Sequence, residues 1–146
     1  MARPAALAAL LAFALAACAG PSRTDEDYAR KVAHTAGSVA SAAQTALVGV
    51  GTVDRGRGYQ PYLSVLLGGA EEEAASAQAT LDAVQPPSER ADALHDEVAG
   101  PVADTIEVLR ALRIEVRRGH LGGLAEVARP LADLVERLDA IAGARG

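Results

Sequence analysis

The sequence predicts an all-α fold, an antiparallel up-down-up-down four-helix bundle over residues 24–146. Three observations predict it. Apolar residues recur at steps of three and four through four successive segments, the spacing of one helix face. No segment sustains the alternation of β-branched and polar residues that marks a strand. The segments are joined by short connections rich in Gly or Pro, which make consecutive helices antiparallel neighbours.

The first helix starts at Thr24, an N-cap residue followed by Asp25, Glu26 and Asp27, whose charges suit the positive end of a helix. Its stripe is Tyr28, Val32, Val39, Ala43, Ala46, Val50 and Val53. Gly49 and Gly51 weaken it, and Gly56-Arg57-Gly58 ends it. Pro61 suits the first turn of the second helix. That stripe is Leu63, Leu66, Ala70, Ala74, Ala77, Leu81 and Val84, with Gly68-Gly69 as a soft point and Pro86-Pro87 as a stop. Ser88 caps the third helix, which runs through Leu94, Val98, Val102, Thr105, Leu109, Leu112 and Val116 to Gly119. The fourth carries Leu124, Ala128, Leu131, Val135, Leu138 and Ile141.

Two prolines interrupt this pattern. Pro101 and Pro130 offer no N–H to the carbonyls of Glu97 and Glu126, so each is expected to kink or split its helix. Fixed bends are the plainer consequence. The sharper one is a hinge between helices three and four that opens an apolar pocket for a lipid or other small molecule. The core is restricted to Leu, Val, Ile, Ala and tyrosine, since tryptophan is absent and the only Phe and Met precede Cys18. Alanine-rich stripes let the first two helices approach closely. They also bury less apolar area, at about 25 cal/mol per Å², so stability is expected to be modest.

The chain ahead of the bundle is of another kind. Arg3 is followed by an uncharged apolar run, Ala5 to Ala17, about 13 residues long. That suits the apolar region of an export signal and falls short of the roughly 20 residues of a membrane-spanning helix. The run ends in Leu15-Ala16-Ala17-Cys18, which resembles the lipobox of bacterial lipoproteins. The resemblance covers residues 1–18 only, and the single charge before the run departs mildly from the pattern. It implies a signal peptide over 1–17, cleaved before Cys18, a diacylglyceryl group on the Cys18 thiol as the only cofactor-like group, and a lipidated tether over 18–23. Lipid on a cysteine with a second acyl signal anchors stably where one chain is marginal. An ordinary export signal cut at Ala12-Phe13-Ala14 or Ala14-Leu15-Ala16 is the alternative, leaving Cys18 as an incidental thiol. Cys18 is the only cysteine, so no disulfide forms within the chain. One lysine among 14 basic residues, with abundant alanine, is the usage of a GC-rich genome and resembles small actinobacterial lipoproteins.

Removal of residues 1–17 leaves 13 basic and 19 acidic side chains, a net charge of −6. That balance argues against nucleic acid as a partner. About five residues link Cys18 to the first helix, and extended chain spans at most roughly 3.6 Å per residue, so the bundle is expected within about 20 Å of the membrane. In an up-down bundle the far end gathers Arg55, Arg57, Tyr59, Tyr62, Arg117, Arg118 and His120, with Arg110, Arg113 and an outward-facing Ile114 below. Arg55, Arg57, Tyr59, Arg113, Ile114, Arg117 and Arg118 form the candidate partner-binding tip, since arginine and aromatics are favoured at interface centres. Basic residues also suit the last turn of a helix with no partner at all.

Catalytic patterns are not found. Helical metal sites use Glu-x-x-His on two helices. Here Asp92-Ala93-Leu94-His95 has that spacing once, with Asp96 beside it, and no second copy exists. There is no Gly-x-Ser-x-Gly elbow and no phosphate loop. Glu71-Glu72-Glu73 point three ways around a helix. The expectation is a non-enzymatic bundle, exported to the outer face of the cell membrane, held there by lipid, and binding another envelope protein. A lipid-binding or small-molecule-binding lipoprotein is the alternative.

Overall fold

The fold is that of a computed structural model, which describes Ser22 and residues 24–144. The expected signal peptide, Cys18 and most of the expected tether lie outside the described residues. Within them the chain forms α1 (Asp25–Asp54), α2 (Gln60–Asp82), α3 (Glu89–Arg117), the short α4 (Leu124–Ala128) and α5 (Pro130–Gly143), with no strand.

Each helix begins where its local chemistry dictates. The Thr24 hydroxyl accepts a hydrogen bond from the Asp27 N–H at 3.1 Å, ahead of three acidic residues in the first turn. The Ser88 hydroxyl accepts from the Ala91 N–H and also donates to Asp25 Oδ1 at 2.6 Å, so one side chain caps α3 and ties it to the start of α1. Pro61 sits in the first turn of α2. Gly56 and Gly123 take positive φ where α1 has ended and α4 begins, a conformation open to glycine at little cost.

The two prolines behave differently. α3 runs unbroken through Pro101, which is buried between Val98 and Val102. Packing on both sides of the proline holds the ladder together, and the Thr105 hydroxyl bonds the Pro101 carbonyl at 2.7 Å. Pro130 does split its helix. α4 is only five residues long and has little to carry it across, so the Arg129 and Ala132 N–H groups reach carbonyls three residues back.

Four long helices pack against one another, α1 against α2, α3 and α5, and α3 against α2 and α5. The core between them is aliphatic apart from Tyr28. The predicted stripes are buried, with Leu66, Ala77, Val84, Leu94, Val53 and Val135 at its margin and Leu67, Ile106 and Leu134 added to it. A Cβ placed on Gly49 would stand 2.9 Å from a methyl of Leu63 and 3.0 Å from one of Leu66. The close approach of the first two helices therefore depends on a glycine as well as on alanines.

By length and composition α1 also qualifies to cross a membrane. Most of its valines and alanines, though not Val48, are packed against α2, α3 and α5 here.

Candidate functional site

The predicted tip residues lie on the turn after α1, the start of α2 and the end of α3. Gln60, at the start of α2, donates its side-chain N–H to the Val116 carbonyl at 2.8 Å, which joins that start to the end of α3. The turn carrying Arg55, Arg57 and Tyr59 leads directly into Gln60. Gly58 makes this turn possible, because a Cβ there would fall within 2.6 Å of the Val53 backbone.

The arginines fall into two groups. Glu71 takes two of them. Its carboxylate accepts hydrogen bonds from Nε of Arg113 and, at 3.3 Å, from Nε of Arg110. The Arg113 guanidinium holds the Glu71 carboxyl below the usual carboxylate range against the opposing pull of burial, and Glu71 raises Arg113 in return. Arg113 is consequently half-buried and engaged, which removes it from the freely available tip. Glu115 sits between His120 at 2.8 Å and Arg118 at 3.1 Å, and its carboxyl is lowered, first by His120 and then by Arg118. No ion pair falls on Arg55, Arg57 or Arg117 among the described residues.

Of the apolar side chains here, sequence reasoning named Tyr59, Tyr62 and Ile114 and missed Val48 and Val65. Five large apolar side chains are exposed among the described residues: Val48, Tyr59, Tyr62, Val65 and Ile114. Tyr59, Tyr62 and Val65 follow one another at steps of three, and each is 64–77% exposed. The stripe predicted for α2 is the one that is buried, and this line lies outside it. Ile114 is exposed to 36% and borders a groove with Arg110 and Ala111.

Between α3 and α5, where an apolar pocket was expected, there is an open groove of about 350 Å³. Asp104, Glu107 and Asp133 line it beside Val108, Pro130 and Leu134, so its mouth is acidic. His95 Nε2 lies 3.2 Å from Asp82 Oδ1, with Asp96 at 3.9 Å from the other ring nitrogen. Among the described residues no group of three or more His, Cys, Asp or Glu is placed to hold a metal ion.

Tyr28 is the one polar anomaly of the core. Its hydroxyl is buried with no hydrogen-bond partner among the described residues. Burial, and after it Asp92, Asp82 and Asp96, push the phenol upward.

No family model matches the chain, and no curated protein or solved structure is similar to it.

Proposed function

We propose that this chain is a bacterial lipoprotein, anchored through Cys18 to the outer face of the cell membrane, whose non-enzymatic helical bundle binds another envelope protein. The observation that carries the binding role is the collection of exposed tyrosines and valines, beside three arginines with no ion pair, at one end of an otherwise acidic molecule. Aromatic residues and arginine are the types that interface centres favour.

We read the helices as up, down, up, down and antiparallel. Cross-helix contacts support that reading. α1 meets α2 at Gly49 with Leu63 and, nearer its start, at His34 with Thr80. α2 meets α3 at Gln60 with Val116 and at Asp82 with His95. α1 meets α5 at Gln44 with Asp139 and at Gly37 with Ala142. In this arrangement Thr24 and the lipidated tether lie at the end opposite Tyr59 and Tyr62, so the apolar tip faces away from the anchoring membrane.

The test is capture by the lipidated protein on intact cells, followed by identification of what co-purifies. A partner at fixed stoichiometry is expected, and the double change Tyr62→Ala with Arg117→Glu should reduce its recovery at least tenfold. Equal recovery with the double variant would remove the tip from the function.

A further inference from the structure

The basic side chains of this molecule are not spread evenly. Residues 54–65 and 110–120 carry Arg55, Arg57, Arg110, Arg113, Arg117 and Arg118 against Asp54 and Glu115, in a chain whose net charge is −5. Contacts make the two segments one surface. The Gln60 side chain is bonded to the Val116 carbonyl and lies beside Gly119, while Gly68 and Glu71 lie against Arg113.

Helix stability accounts for part of this charge. Arg117 is in the last turn of α3 and Arg55 directly follows α1, positions where a cation suits the negative end of a helix. Arg57 has no such reason to be there. It stands two residues before Tyr59, the residue ahead of α2, at the helix end where a cation is unfavourable. α1 and α3 open with a hydroxyl cap and acidic residues, whereas α2 opens with neither. Arg110, Arg113 and Arg118 each have a carboxylate of their own chain. Arg55, Arg57 and Arg117 have none among the described residues. Apolar surface adjoins these charges. Tyr59, Tyr62 and Val65 run from the N-cap of α2 through its first two turns and are 71%, 64% and 77% exposed.

We propose, resting on the reading that this surface binds an envelope protein, that the partner engages it through an acidic segment. An apolar side chain of that segment sits on Tyr59, Tyr62 and Val65, and flanking carboxylates pair with Arg55, Arg57 and Arg117. Charge complementarity selects this occupant. A guanidinium with no carboxylate of its own chain can take one from outside in two parallel hydrogen bonds. A basic segment would meet like charge here, and its complement is the groove of Asp104, Glu107 and Asp133. A wholly apolar segment would cover the arginines and leave them desolvated without a counter-charge, which is costly. A phosphate polymer would match the arginines and leave the tyrosines and Val65 in water. Opposite charge across an interface speeds encounter and fixes register, so the contact is sensitive to salt.

The experiment uses the full-length chain in its native cells, with the photo-cross-linking residue benzoylphenylalanine in place of Val65. Intact cells are irradiated, and the partner peptide joined at position 65 is sequenced by mass spectrometry. The joined segment should carry more Asp and Glu than Lys and Arg. On isolated membranes the adduct should fall about tenfold between about 0.15 M and 1 M salt, as the screening length shrinks from roughly 8 Å to 3 Å. Arg57→Glu with Arg117→Glu should remove the adduct, and Arg57→Lys with Arg117→Lys should keep most of it, with the same helical circular-dichroism signal in both variants. A joined segment that is neutral or basic, a yield indifferent to salt, or an undiminished yield from the glutamate variant overturns the acidic partner and leaves protein binding by this surface standing. An adduct with lipid, with a polyanionic polymer or with another copy of this chain, or no adduct at all, overturns both.

Discussion

Glu71 decides what the tip can offer. Its neighbours Glu72 and Glu73 are exposed, while Glu71 is turned onto α3 and engages Arg110 and Arg113. A surface ion pair is worth about 0–1 kcal/mol, and this one is partly shielded and hydrogen-bonded twice over. Because the folded Glu71 carboxyl titrates below its unfolded value, its contribution is fully present above the unfolded carboxylate range. It is lost as pH falls through the lower folded value. Glu71→Gln should therefore lower the urea midpoint at pH 7 and narrow the gap from wild type as pH is brought to 3. A constant gap across that range would show that the pair is not what the substitution removes. Tyr28 predicts the opposite sign. A buried hydroxyl without a partner is destabilising relative to its absence, so Tyr28→Phe should leave stability unchanged or raise it by about 1 kcal/mol. Loss of stability in thermal melts would mean that the phenol has a partner beyond the described residues.

At the scale of the element, one serine ties the start of α3 to the start of α1. Ser88 caps one helix and donates to Asp25 at the start of the other. Losing an N-cap costs roughly 0.5–2 kcal/mol, and the second bond belongs to a carboxylate. Ser88→Ala should thus destabilise more than Thr24→Ala, whose hydroxyl serves one helix only, as read from urea midpoints at constant slope. The helices themselves were legible in the sequence. Caps at Thr24 and Ser88, Pro61 in a first turn and glycines at the turns are local signals, and local geometry obeys them. What was not legible depends on register between helices. The Glu71 clamp on Arg113 requires knowing how far α2 slides along α3. The fates of Pro101 and Pro130 depend on how much packed helix lies on either side of each proline. The exposure of Val48 and Val65, two apolar residues that a stripe alone does not place, depends on how the neighbouring helices cover α1 and α2.

For the whole molecule, function follows from placement. The proposed lipid on Cys18 holds the start of α1 near the membrane on a tether of a few residues, and the antiparallel reading then directs the tyrosines and unpaired arginines outward. All of this depends on the chemistry at Cys18. The most direct test is the intact mass and membrane partition of the protein from its native cells, for wild type and Cys18→Ala. The expected result is a wild-type chain that begins at a lipid-modified Cys18 and stays with the membrane, and a Cys18→Ala chain that is uncut or released in soluble form. A wild-type chain cut upstream of Cys18 with an unmodified thiol, or a processed Cys18→Ala chain still bound as a lipoprotein, would contradict the account.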